Sequence, residues 1–266
     1  MRNRPRLLDG MPEPWAVEWG EDPYGLFMSF AVDDCVQKLR YIPPGRFLMG
    51  SPKSELGRWP DEGPRHEVEL SKGYWLADTP CPQALWEAVM GQNPSDFVDP
   101  KNPVELVGWD DCQEFLRRLN EQVPGLGARL PSEAEWEYAC RGGTSEATWV
   151  GELDGQETAT VLDSIAWYSG NSEGRTHPVG RKAANPFGLC DMLGNVWEWC
   201  QDLYGPYSTA AQIDPTGPTE GTERVYRGGS WHDRAGNVRA AFRSGVSPGG
   251  RSHVLSFRLA RGQGEE

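Results

Sequence analysis

The sequence predicts a loop-rich α+β fold, and three observations predict it. With 32 glycines and 22 prolines in 266 residues, turns are frequent, and 12 tryptophans supply large anchors that pin loops to a core. Apolar residues recur at helical spacing in a few segments only. Several shorter segments alternate apolar and polar, as half-buried strands do. That composition fits loops held by aromatics better than it fits a helical bundle.

Taken in order, residues 1–38 read as a lead-in packed on a main domain spanning 39–266. Pro12–Trp15 and Trp19–Gly25 are loop-like with aromatic anchors, and Leu26–Val32 reads as a buried strand. Lys38–Ser51 reads as two strands broken at Pro43-Pro44-Gly45, followed by a polar surface loop over Ser54–Arg65. His66–Leu70 alternates and predicts a half-exposed strand.

Helices follow. Pro82 stands at a favoured first helical position, Leu85, Trp86 and Val89 share one face, and Gly91 ends the helix. Cys112, Phe115, Leu116 and Leu119 mark a second helix. Ser132-x-x-Glu135 is a capping box that starts a third, stopped by Gly142-Gly143 after Arg141. In the weakly periodic stretch 142–187, Trp149, Trp167 and Tyr168 read as anchors. A turn-rich stretch at 214–218 leads to a strand over Arg224–Arg227.

The run from Gly188 to Asp202 organises the chain. Gly188, Asp191, Gly194 and Asn195 make its first half turn-like. Its second half alternates, with Trp197 and Trp199 on one side of a strand and Val196, Glu198 and Cys200 on the other. An inward carboxylate on Glu198 needs a partner. Asn195 and Glu198 offer oxygen ligands to a hard cation such as a structural calcium, which takes about six to eight oxygens. Alternatively, both side chains serve the loop backbone.

The formal charge of -13 argues against general affinity for nucleic acid. No apolar run reaches the roughly 18 residues of a membrane span, and no signal-peptide core follows the basic start, so cytoplasmic synthesis without membrane insertion is expected. The six cysteines form no C-x-x-C pair and read as buried reduced thiols. The four histidines show no helical metal-site spacing, and neither a G-x-S-x-G elbow nor a Walker loop is present.

Four motifs carry a resemblance. Tyr41–Ser51, Leu130–Ala139, the run Gly194–Trp199 and the pair Arg227–Trp231 with Phe257–Leu259 follow the order found in the formylglycine-generating-enzyme (sulfatase-modifying factor) superfamily. The chain resembles that family along most of its length. The resemblance implies an irregular C-type-lectin-like fold, with a few helices and short antiparallel sheets. It also implies an oxidase that holds Cu(I) between two cysteines soon after the Gly-Gly-Ser motif, since soft thiolates select that metal. Here no cysteine follows Cys200, so no copper and no copper chemistry are expected. The resemblance also extends to an iron-dependent branch that uses histidines partly from another domain, and no such domain is expected here.

The tail resembles the variable region of proteins diversified by a retroelement. A frame of Arg239, Arg243, Arg251 and Arg258 is kept, while an assorted set stands between. That set comprises His232, Asp233 and Arg234, then Phe242, Ser244, Gly245 and Val246, then Gly249, Ser252, His253, Val254 and Ser256. Such elements alter adenines, and an AAC codon so altered cannot yield Lys, Glu, Gln, Met or Trp. None of these occurs between His232 and Ser256. Ser256 departs from the family's usual glycine.

The expectation is therefore a non-enzymatic protein that binds a protein or other macromolecular ligand through residues 231–256, with Trp231 and Phe242 as aromatic anchors. The frame arginines would bond carbonyls and carboxylates through their planar forks. The alternatives are an enzyme of the same superfamily with an altered metal site using His232 or His253, and a partner domain with no small ligand.

Overall fold

The computed structural model describes residues 12–262. The first strands are β1 (Glu18–Asp22), β2 (Gly25–Val32), β3 (Cys35–Ile42), β4 (Gly45–Met49), β5 (His66–Leu70) and β6 (Tyr74–Ala77). Helices α1 (Gln83–Met90) and α2 (Trp109–Gln122), strand β7 (Ala128–Arg129) and helix α3 (Glu133–Arg141) come next. After a long irregular stretch come β8 (Trp197–Leu203), β9 (Gln212–Ile213), β10 (Arg224–Arg227), β11 (Arg243–Val246), β12 (Leu255–Phe257) and β13 (Ala260–Gly262).

The largest sheet has the order β1-β2-β3-β6-β13-β7, with antiparallel neighbours throughout. The N-terminal segment thus supplies its outer strands, and β13 threads between β6 and β7. A second sheet, β11-β10-β8-β12, leaves β11 on an edge and sets β12 parallel to β8, with Ser256 opposite Glu198. A third, β4-β5-β9, is small. This is the irregular α+β arrangement that the resemblance implies.

Local chemistry sets the helix ends. Pro82 stands just outside α1, which begins one residue later than expected, and Gly91 closes it at φ 80°. The Ser132 hydroxyl accepts from the Glu135 amide at 3.1 Å, and the Glu135 carboxylate accepts from the Ser132 amide at 2.8 Å. Both orphan donors of that turn are satisfied.

Strand β8 separates two cores. Trp197 and Trp199 join Phe30, Leu39 and Phe257 beneath α1 and α2, where Trp86 stacks on Phe115 at 5.2 Å. Cys200 faces the other core, built from Trp136 of α3, Leu189, Met192 and Val225. All six cysteines are free thiols. Among the described residues, no helix is long and apolar enough to cross a membrane.

Candidate functional site

The run before β8 ties the tail to the body. Gly194 (φ 72°) passes so close to the Trp167 backbone that a Cβ would lie 2.2 Å from its carbonyl oxygen, so only glycine fits. Asn195 (φ 60°) donates its amide to the Trp167 carbonyl at 2.7 Å and accepts at its own carbonyl from the Trp231 amide at 2.9 Å. Its side chain exchanges two 3.0 Å hydrogen bonds with the His177 backbone. One buried asparagine thus joins three loops.

The side-chain oxygens of Asn195 and Glu198 are both engaged within the protein. Asn195 serves backbone, as the alternative reading has it. Both oxygens of Glu198 are taken by Arg258 at 2.6 Å, and Trp136 Nε1 donates to one of them at 2.7 Å. A guanidinium already supplies the counter-charge that a cation would. Nearby, Asn171 accepts from the Tyr168 amide at 3.0 Å and donates to the Ala166 carbonyl at 3.0 Å. Among the described residues, no three of His, Cys, Asp or Glu gather into a metal-holding group.

The expected arginine frame is real and mostly internal. Arg258 also donates to the carbonyls of Ala77 and Cys190 at 3.0 Å. Burial opposes its charge, but Glu198 more than compensates and raises the arginine's pKa. Arg239 is fully buried, grips both oxygens of Glu62 at 2.6 and 2.9 Å, pairs with Glu55, and donates to the Gly57 and Gly236 carbonyls. Burial pushes the Glu55 carboxyl up, and Arg239 only partly opposes that. Arg243 holds Glu133 bidentately at 2.6 and 2.7 Å. Arg251 makes the same fork to Asp111 at 2.7 Å on the surface, and that bond holds the Asp111 carboxyl below its usual range. Arg227, not assigned to the frame from sequence, is buried as well. It pairs with Glu137 and bonds the Ala241 and Phe242 carbonyls at 2.8 and 3.0 Å.

Between these struts the assorted positions divide. His232, Arg234, Gly249 and His253 are exposed, and Ser244, Val246, Ser252 and Val254 are half-buried. A Cβ on Gly249 would meet nothing within 4 Å. Other positions are corrected by the structure. Ser256 is wholly buried, and among the described residues its hydroxyl has no partner. Gly245 lies against Tyr204, whose Cγ would stand 2.5 Å from an added Cβ. Asp233 accepts from Trp197 Nε1 at 2.8 Å and from the Ser230 hydroxyl and amide at 2.5 and 3.0 Å, so it is a strut. Phe242 is 8% exposed and packs on Trp197, and Trp231 is 7% exposed. Phe242 serves as floor, because its ring completes the core under β8, whereas Trp231 is buried against Phe97, His232 and His253.

Trp231 still reaches the surface cluster. Its Nε1 donates to the His253 carbonyl at 3.1 Å, and its ring lies 5.5 Å from both Phe97 and His253. Phe97 was not singled out from sequence. The signal available was an apolar pair, Phe97-Val98, set between Asn93-Pro94 and Asp99-Pro100 turns.

Comparison with known proteins places this geometry. The sulfatase-modifying factor enzyme 1-like domain matches residues 25–263. The formylglycine-generating enzyme of Streptomyces coelicolor is 36% identical over 189 residues, covering 66% of this chain and 58% of that protein. The serine/threonine-protein kinase pkn1 of Chlamydia caviae is 40% identical over 253 residues, covering 84% of this chain and 37% of the kinase. Among solved structures, Treponema denticola variable protein 1 superposes with a TM-score of 0.78 at 30% identity, covering 88% of this chain and 98% of that one. PvdO from Pseudomonas aeruginosa gives 0.75 at 26% identity, covering 91% and 100%.

Proposed function

The chain belongs to the sulfatase-modifying factor family, and on that premise we propose that it is a non-enzymatic binding protein whose C-terminal surface recognises a macromolecular ligand. One observation carries the reading. Within the tail, Arg239, Arg243 and Arg258 are buried in carboxylate forks, while His232 and Arg234 before them and Gly249 and His253 among them stand exposed. A tail so held can change its outward side chains at little cost, since surface substitutions usually shift stability within about 0.5 kcal/mol. The likeness to a variable protein supports this. So does the absence from residues 232–256 of every amino acid that adenine alteration of an AAC codon cannot produce. Gly245 and Ser256 leave the proposed contact set, and Asp233, Trp231 and Phe242 act as its supports.

The ligand surface is then His232, Arg234, Gly249 and His253, with the half-buried Ser244, Val246, Ser252 and Val254 at its margin. Binding rests on shape and polar complementarity, without bond chemistry. The neighbouring DNA tests it: a near-copy of the tail-coding segment, differing mainly at adenines and lying beside a reverse-transcriptase gene, is expected. A tail identical in sibling genes would contradict it.

The enzymatic alternative draws on relatives named as formylglycine-generating enzymes. The absence of any cysteine between Gln201 and Glu266 weighs against copper chemistry of the family's kind. Copper or iron retained through purification, together with turnover of a cysteine peptide, would favour the enzyme.

A further inference from the structure

Beside the tail, the 97–102 and 175–178 loops enclose a cleft of about 360 Å³ lined by Phe97, Val98, Asp99, Asn102, Arg175 and His177, among others. Phe97 belongs to both places, since its ring also meets Trp231 at 5.5 Å and His253 at 6.4 Å. Asn102 is 6% exposed. Its amide nitrogen is committed to the Phe97 carbonyl and the Thr176 hydroxyl, each at 3.2 Å, but its Oδ1 has no partner among the described residues. A buried acceptor without a donor is costly, and a ligand that brings one recovers that cost. Asp99 uses Oδ1 to accept from the Lys101 amide at 2.8 Å, and its Oδ2 has no bond among the described residues. Arg175 is drawn to Glu173 at 3.2 Å. The cleft therefore combines two oxygen acceptors with an aromatic wall, on a chain of formal charge -13.

We propose that this cleft takes an arginine side chain of a protein ligand docked on the tail surface. The part about docking rests on the recognition reading above, whereas the cleft's preference does not. A guanidinium is planar, carries donors in a fork, and lies well against aromatic rings, which matches Asn102 Oδ1, Asp99 and Phe97 together. A neutral side chain of the same shape would supply the donor without the charge.

The test uses the full chain and N-acetylargininamide, followed by ¹⁵N–¹H NMR, with N-acetylcitrullinamide as the uncharged isostere. Shifts centred on Phe97, Asn102, Thr176 and His177 are expected, with the citrulline compound several-fold weaker. Asp99→Asn keeps the Lys101 cap and removes the charge, so it is expected to weaken the arginine compound about threefold. Absence of shifts at tens of millimolar, shifts elsewhere, or equal binding of citrulline would overturn the proposal. Cleft shifts from a chain whose tail proves invariant in its sibling genes would sink the recognition reading and still support this site.

Discussion

Arg239 and His253 belong to one tail, yet their surroundings are opposite. Arg239 is fully buried, with two carboxylates and two carbonyls around one guanidinium. The His253 side chain is exposed, with its ring beside Trp231 and Phe97, and its backbone carbonyl accepts from Trp231. The difference teaches where this fold keeps its stability. It sits in arginine–carboxylate forks and in backbone hydrogen bonds, neither of which depends on what the outward side chains are.

Breaking the buried half should cost most. Arg239→Met leaves Glu55 and Glu62 buried without their cation, and about 3–5 kcal/mol of stability should be lost in urea unfolding. A loss below 1 kcal/mol would show that the forks are not what holds the tail.

A buried carboxyl without an arginine sharpens the contrast. Glu105 is fully buried beneath the Phe97 loop, with one oxygen accepting from the Phe97 amide at 2.8 Å and the other without a partner among the described residues. Burial pushes its pKa up to about 7. A raised folded-state value means that the stability it contributes is complete below its unfolded pKa and lost as pH rises through about 7. Asp202, raised by burial to about 7, and Asp191, raised by burial to about 6, act in the same direction. Stability should therefore fall between pH 5 and 8, by on the order of 2 kcal/mol from Glu105 alone. Glu105→Gln should flatten much of that slope in thermal melts, and an unchanged slope would contradict the assignment.

Two glycines of the tail make a smaller and cleaner pair. Gly245→Ala pushes a methyl into Tyr204 and should cost about 1–2 kcal/mol, whereas Gly249→Ala meets open space and should be neutral within a few tenths. Equal effects in urea unfolding would erase the distinction between strut and surface positions.

Much of this was legible in the sequence, for physical reasons. The capping box at Ser132, the glycine stop at Gly91 and the apolar spacing of Cys112–Leu119 are local signals, and local forces settle them. The arginine frame was legible because a planar fork inside a loop-rich fold must find carboxylates or carbonyls. Which carboxylates it finds was not, because Glu55, Glu62 and Arg239 meet only through tertiary structure. The same limit explains the corrections. Asp233, Gly245 and Ser256 look interchangeable in a polar stretch, but Trp197, Tyr204 and the strand beside Glu198 fix them from a distance. Glu198 itself needed a partner, and sequence could not tell a cation in solution from Arg258 sixty residues on.

The most direct test replaces the exposed set at once. A chain carrying His232→Asp, Arg234→Ser, Gly249→Asn and His253→Tyr together should fold with a urea midpoint close to the parent, within about 1 kcal/mol, because none of these side chains belongs to the frame. Loss of 3 kcal/mol or more on the same measurement, about the cost of breaking a buried fork, would contradict the account.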